Sequence, residues 1–375
     1  MKILCFIRSL NAGGAERQLV VTAKGLAERG HKVTVLTFYN GGFYADEIID
    51  SKVQLLSLNK KGRWDLLAFF LRLNSVLRKQ APDVIYSFLG IANVLTVLVR
   101  PFISSTRLVW GVRASNMDLG KYDWLTRWSY WVECRLARFA DVIVANSHAG
   151  LEYAVAHGFP EKNIKVIPNG IDTEYFYPDK LAGESLRKVW GVAEDAFLIG
   201  VVGRIDPMKG YPTFLEAVAQ IKQQYPQLYF VSVGTGEAKF ETSIHELATE
   251  LGLDDVLIWV GQYTDMLAVY NAFDIATSSS SYGEGFPNVL GEAMSCGVPC
   301  VVTDVGDSSL VVGDTGLVVA PKDSDALSTA WTAMFLLDKA KLEDLSAAAR
   351  KRVINKFSVN TLIDSSEQVL LPKLD

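Results

Sequence analysis

Two carboxylates, Glu284 and Glu292 in EGFPNVLGE, and two cations, Arg204 and Lys209 in VGRIDPMKG, are the residues of this 375-residue chain whose types and spacing bear most directly on chemistry. A carboxylate accepts hydrogen bonds from a vicinal diol, which is how an acidic residue grips a ribose or a hexose. Gly285 and Pro287 favour a loop, and Asn288 is expected to cap the helix that follows. Glu284 then falls on the loop and Glu292 inside the helix, where each serves a different diol. The amides of Phe286, Asn288 and Val289 point out of a helix N-terminus, which draws phosphate or sugar oxygens. Arg204 and Lys209 lie on a loop at the carboxyl end of a predicted strand, where open α/β sheets bind ligands. Two cations so placed can clamp a diphosphate. Gly13 and Gly14, in LNAGGAE at 10–16, lie between the first predicted strand and helix, where backbone N–H groups can approach an anion. This loop lacks the full GxGxxG spacing of a dinucleotide site, which disfavours an NAD-linked oxidoreductase. DIATSSSS at 274–281 reads as a strand running into a serine-rich turn that delivers Glu284 to the sheet edge. Taken singly, these segments also suit a structural turn, a solvated loop or a capped surface helix; together they fit one another.

The elements that must position them alternate. Lys2–Phe6, Lys32–Phe38, Val53–Leu58, Val84–Ser87, Leu108–Val112 and Val142–Ala145 read as buried strands, with helices at Ala15–Arg29 and about Leu66–Arg78. The pattern restarts after residue 180. Strands are predicted at Phe197–Val202, Tyr229–Val233, Val256–Val260, Ile275–Ser278 and Pro299–Thr303. Helices fall between them at Tyr211–Gln223, His245–Leu251, Met266–Ala272 and Asn288–Cys296. Near-continuous apolar strands alternating with helices argue for parallel sheets covered on both faces. We expect a Rossmann-like domain over 1–170, a linker and domain entry over 171–195, and a second Rossmann-like domain over 196–356. A C-terminal helix at about 357–375 is expected to pack back on the first.

Hydrophobic residues make up 49% and charged residues 21%, enough apolar content for large cores and too little charge for disorder. No apolar run is long enough for an ordinary transmembrane helix, and the N-terminus reads as a buried strand, not a signal peptide. The four cysteines and four histidines show no ligand spacing, so free buried thiols, no metal and no cofactor are expected. Residues 1–180 carry 23 Lys and Arg against 16 Asp and Glu, a balance of +7, whereas the remainder is at −12. Such polarity can steer one half toward an anionic surface. No nucleic-acid partner is expected.

On NAGGAE at 11–16, IPNGID at 167–172, VGRIDPMKG at 202–210 and SSYGEGFPNVLGEAMSCGVPCVVTD at 280–304, the chain resembles the retaining GT-B glycosyltransferases of family 4, which build bacterial glycolipids and polysaccharides. The Glu284-x7-Glu292 spacing is the most specific match. The resemblance implies an α/β GT-B fold, two Rossmann-like domains facing each other across a cleft. It implies transfer of a hexose from a nucleotide diphosphate sugar, UDP-linked for preference, to a lipid-linked or polysaccharide acceptor. Arg204 and Lys209 would hold the diphosphate, Glu284 the donor sugar near its 3- or 4-hydroxyl, and Glu292 the ribose. Gly13 and Gly14 would face the diphosphate from the first domain, and no metal would be needed. Where many relatives have a histidine, this chain has GVRASNMD, with Arg113 and Asn116 as acceptor-side candidates. Arg113 would bind an acceptor phosphate, or else form a surface ion pair. The rival readings are another GT-B enzyme, such as a sugar-nucleotide 2-epimerase, and a catalytically silent sugar-nucleotide-binding partner.

KYDWLTRWSYWVECRLARFAD at 121–141 sets an apolar stripe, Leu125, Val132, Leu136 and Phe139, beside a face with Trp124, Trp128 and Trp131. Arg127, Arg135 and Arg138 flank that tryptophan face. Tryptophan among arginines suits a membrane–water interface. We therefore expect a cytoplasmic protein bound peripherally to the inner face of the plasma membrane, with Trp124, Trp128, Arg135 and Arg138 meeting an anionic surface. The helix near Leu66–Arg78 is a weaker second candidate. Tryptophans packed on the core would be the alternative.

Overall fold

The computed structural model describes residues 1–62, 64–103, 105–113, 123–193 and 195–371. It forms two compact units, Met1–Gly170 with Val359–Asp375, and Ile171–Ser358.

In the first unit the strands are β1 (Lys2–Ile7), β2 (Lys32–Thr37), β3 (Gln54–Ser57), β4 (Val84–Phe88), β5 (Arg107–Val112), β6 (Val142–Ala145) and β7 (Ile164–Val166). They make one parallel sheet in the order β3-β2-β1-β4-β5-β6-β7. Its helices are α1 (Gly14–Glu28), α2 (Ala45–Ile49), α3 (Leu66–Gln80), α4 (Gly90–Val99), α5 (Trp124–Leu136) and α6 (His148–Ala156). Side chains alternate between the faces. Cys5, Val33, Tyr86 and Val109 lie in a core with Leu19, Ala23 and Leu26 of α1. Leu4, Phe6, Leu36 and Ile85 lie opposite, with Phe69, Leu73 and Leu77 of α3. Both faces are buried, which is why these strands are nearly continuous apolar runs.

The second unit has α7 (Lys180–Val189), β8 (Phe197–Val202), α8 (Tyr211–Ile221), β9 (Leu228–Val233), α9 (Ala238–Glu250), β10 (Leu257–Gly261), α10 (Met266–Asn271) and β11 (Ile275–Ser278). It continues through α11 (Asn288–Ser295), β12 (Cys300–Thr303), α12 (Ser308–Val312), β13 (Gly316–Val319), α13 (Ser324–Phe335) and α14 (Lys339–Phe357). Its parallel sheet runs β10-β9-β8-β11-β12-β13. In both sheets the order reverses beside the first strand, at β1/β4 and at β8/β11. That reversal opens a crevice at the carboxyl ends of the strands. The last helix, α15 (Val359–Leu370), packs on α1. Ile363 fills the space above Gly25, and Arg29 bonds Asp364 at 2.5 Å and Glu367 at 3.0 Å.

The stretch 171–195, expected as linker and domain entry, carries α7. Asp179 caps α7 by accepting from the Ala182 amide at 3.1 Å, and Gly183 lets α7 approach the Asn271 backbone closely. The apolar stripe of α5 is covered only in part: Val132 and Leu136 are half-buried. Leu125 and Phe139 are exposed, and Tyr130 and Glu133 are buried. Glu133 accepts from Asn93 Nδ2 of α4 at 2.8 Å, and Asn93 in turn accepts from Ser87 Oγ at 2.7 Å. Asn93 gives that carboxyl group the partner a buried polar side chain requires.

Burial pushes the Glu133 carboxyl up to about 7, against the lowering effect of its Asn93 bond. The folded protein therefore holds this proton more tightly than the unfolded chain. Stability associated with it is full below the usual carboxylate range near pH 4.5 and is lost as pH rises towards 7. Glu133→Gln should flatten that part of the profile, a difference of a few kcal/mol at pH 7. Urea melts of both proteins between pH 5 and pH 8 check this, and parallel curves would refute it.

Candidate active site

The two loops leaving β8 and β11 meet in the second unit. After β8, Asp206 caps a short 3₁₀ turn, Pro207–Lys209, by accepting from the Met208 amide at 2.9 Å. Gly210 then enters α8 at φ 66°, and a Cβ there would run into the Ser279 carbonyl. Only glycine takes both the backbone angle and the close approach. The Ser281 amide donates to the Met208 carbonyl at 2.8 Å, and Ser279 Oγ to the Lys209 carbonyl at 2.9 Å. The serine-rich turn thus pins the cationic loop as well as carrying Glu284.

Lys209 and Glu284 are brought together, with Nζ 2.6 Å from Oε1. The pair is largely withdrawn from solvent, at 18% and 8% side-chain exposure, so its attraction is screened less than that of a surface pair. Ser280 Oγ donates to the same oxygen at 2.6 Å. Arg204 is placed differently. Its side chain is 75% exposed and reaches Asp206 only at 3.9 Å. One cation is held in place and the other extends into solvent.

Glu292 is buried inside α11 and accepts from the Tyr270 hydroxyl at 2.7 Å. Asn288 is not the cap that its side chain suggested: Pro287 holds that position and Asn288 is the first helical residue. Phe286 is buried and packs against Phe357, with ring centroids 5.4 Å apart, so only its backbone is available to a ligand. Val289 is half-buried against the core. At the far end of α11, Arg350 donates to the Ser295 carbonyl and, at 3.0 Å, to that of Phe176. A cation there suits the negative end of the helix.

In the first unit, Gly13 is the N-cap of α1 in an extended conformation and Gly14 is its first residue. Neither needs a left-handed backbone. The Glu16 carboxylate folds back over Gly13, into the space that a Cβ would take. Arg113 follows β5 at the same carboxyl edge. Among the described residues it forms no ion pair. It donates to Asn169 Oδ1 at 2.6 Å, stacks over Phe88 at 5.2 Å, and leaves a buried Nε without a partner. Burial lowers its pKa. The neighbouring Gly170 exchanges two hydrogen bonds with the Gln18 side chain of α1, at 3.0 and 3.2 Å. Asn116 lies outside the described residues.

On α5, Trp124, Trp128 and Trp131 are 72%, 57% and 54% exposed, so they do not pack on the core. With Arg127, Arg135 and His157 they line a groove of about 1110 Å³. Arg135 stacks on Trp131 at 5.1 Å, and Arg138 is exposed beyond the helix end. Trp64, Leu66, Leu67 and Leu71, at the start of α3, are exposed too. No helix among the described residues is long and apolar enough to cross a membrane.

Residues 12–175 match the model of Glycosyltransferase Family 4, and residues 183–352 that of Glycosyl transferases group 1. The chain belongs to the family 4 type of GT-B glycosyltransferases. The transferase is 27% identical to the lipopolysaccharide core biosynthesis glycosyltransferase LpsE of Rhizobium meliloti, over 96% of each chain. It is 24% identical to the UDP-Gal:alpha-D-GlcNAc-diphosphoundecaprenol alpha-1,3-galactosyltransferase of Escherichia coli, over 80% of this chain and 78% of that one. Among solved structures, Anabaena HepE in complex with UDP-glucose superposes with a TM-score of 0.82 at 26% identity, covering 99% of both chains. The transferase therefore has the GT-B fold and acts with a sugar-nucleotide donor. Sequence reasoning missed Ser280 and Tyr270 at its site. Neither carries a distinctive spacing signal; they matter because the fold sets their hydroxyls against Glu284 and Glu292.

Proposed function

We propose that this transferase moves a hexose from a UDP-sugar to a lipid-linked or polysaccharide acceptor, with retention at the anomeric carbon and without a metal. The observation that carries the donor assignment is the Lys209–Glu284 pair, 2.6 Å apart at the β8/β11 crevice. It sets a phosphate-binding cation beside a sugar-binding carboxylate. The UDP and UDP-glucose complexes of the similar HepE support a UDP donor. The acceptor named for the Escherichia coli relative, a diphosphoundecaprenol glycolipid, supports a lipid-linked acceptor here.

In this reading Arg204 and Lys209 bond the diphosphate, joined by the α11 amides. Their charge stabilises the leaving group. The acceptor hydroxyl oxygen bonds to the anomeric carbon on the face from which the diphosphate departs. The carbon–oxygen bond breaks with its electrons going to the diphosphate, and a phosphate oxygen takes the acceptor proton. No side chain need act as base. Glu284 orients the sugar and Glu292 the ribose. Arg113, a half-buried cation with no carboxylate partner among the described residues, suits an acceptor phosphate at the edge of the first sheet.

The test is a thermal-shift screen of UDP-, GDP- and ADP-sugars, followed by the anomeric configuration of the product. Selective stabilisation by UDP-sugars is expected, with a product retaining the donor's configuration. Preference for another base or an inverted product would refute the corresponding part.

We place the protein on the inner face of the plasma membrane, docked through α5. The exposed tryptophans and arginines around the groove support this, as does the +7 balance of residues 1–180. Each cation near an anionic surface contributes about 1 kcal/mol, and salt weakens it. Binding to anionic vesicles should therefore be salt-sensitive, and binding to neutral vesicles slight. Changing Trp124, Trp128, Arg135 and Arg138 together to alanine should abolish it while leaving nucleotide binding intact. Cosedimentation measures both, and undiminished binding by that variant would exclude this surface.

A further inference from the structure

We infer that Lys209 and Ser280 together occupy one oxygen of the Glu284 carboxylate, so that Oε2 alone addresses the donor sugar, and that Ser280 is a positioning residue for the transfer. The inference rests on the reading of Glu284 as the sugar-binding carboxylate. Lys209 Nζ and Ser280 Oγ each lie 2.6 Å from Oε1. A carboxylate oxygen offers two lone pairs, and two donors fill them. Among the described residues Oε2 has no partner.

Ser280 is itself held. It is fully buried, and its hydroxyl lies 3.4 Å from that of Ser278. Thr303 Oγ1, on β12, donates to the Ser280 carbonyl at 2.7 Å and to that of Ser278 at 3.3 Å. This neutral donor, fixed between two strand ends, sets the plane of the carboxylate. Lys209 alone would not, because its flexible stem also has to follow the diphosphate. An ammonium has three N–H groups, and with one on Oε1, two remain for phosphate oxygens. Lys209 thereby links diphosphate to sugar recognition, while Ser280 acts on the sugar alone. The consequence is a narrow one. Glu284 cannot grip a diol with both oxygens, and it reads the ring hydroxyl, or adjacent pair, that converges on Oε2.

The test compares the free nucleotide diphosphate with its sugar conjugate, using the pair that the donor screen selects. Ser280→Ala should bind the free nucleotide diphosphate as wild type does. It should lose about tenfold in turnover, together with part of the extra affinity that the sugar confers. Ser280→Thr, which keeps a hydroxyl, should recover most of both. In a Glu284→Ala background, Ser280→Ala should cause no further loss of that extra affinity, since the two act as one unit. Wild-type turnover in Ser280→Ala overturns the inference. So does an equal loss of affinity for both ligands, the mark of a merely structural role, or a further loss in the Glu284→Ala background. If Glu284→Ala itself keeps its turnover, the reading of Glu284 fails first. If Glu284→Ala is inactive and Ser280→Ala is wild type, only the present inference fails.

Discussion

Glu284→Ala should lower turnover by two orders of magnitude or more while the free nucleotide diphosphate still binds. The carboxylate is 8% exposed and bonded at 2.6 Å by both Lys209 and Ser280, so its position is set before any donor arrives. A group so placed contributes to the transition state without reorganising. Its removal would take away the proposed contact with the sugar and leave the nucleotide contacts proposed for Arg204, Lys209 and Glu292 in place. Single-turnover kinetics at saturating donor, beside calorimetric titration of the nucleotide diphosphate, separate the two. A variant keeping more than about a tenth of wild-type turnover, a loss below roughly 1.4 kcal/mol, would refute the assignment.

Lys209→Ala and Arg204→Ala should each weaken the nucleotide diphosphate far more than the nucleoside, because charge-assisted bonds to phosphate are strong. For Lys209→Ala we expect about 30- to 100-fold weaker binding of the diphosphate, corresponding to roughly 2–3 kcal/mol for bonds to a charged group. The structure separates the two residues. Arg204 extends into solvent with only Asp206 near it, at 3.9 Å, so its truncation should cost the proposed phosphate contact and little else. Lys209 also neutralises a nearly buried carboxylate, and truncation leaves Glu284 with only the Ser280 hydroxyl. A buried charge stripped of its partner is destabilising. Lys209→Ala should therefore lower thermal stability as well as turnover, and Lys209→Met/Glu284→Gln should regain stability without activity. Equal weakening of nucleoside and diphosphate would mean that these side chains do not touch the phosphates.

The alternation of strand and helix was legible from residue 2 to residue 303 because both sheets are buried on two faces, which leaves runs such as Phe197–Val202 with hardly a polar residue. The loops at 202–210 and 280–292 could be recognised because glycines, cations and carboxylates stand there at fixed spacing between predicted elements. Helix α4 escaped the same reading: GIANVLTVLV is apolar nearly throughout and shows no polar stripe from which to count a period. The short strands β7 and β13 escaped it too, with three and four residues offering no periodicity to measure.

By itself, the sequence determined the fold class and which residue types gather at the carboxyl ends of the strands, since both follow from local patterning. Tertiary structure alone decided which oxygen of Glu284 is occupied, that Lys209 is held while Arg204 is exposed, that Arg113 turns inward to Asn169, and that Glu133 is on the buried side of α5. The physical reason is common to all four. A side chain's charge state, orientation and partners depend on groups brought beside it from elsewhere in the chain, 75 residues away for Lys209 and Glu284, 56 for Arg113 and Asn169, and 40 for Asn93 and Glu133. No local pattern encodes such distances; only the closed fold brings the partners together.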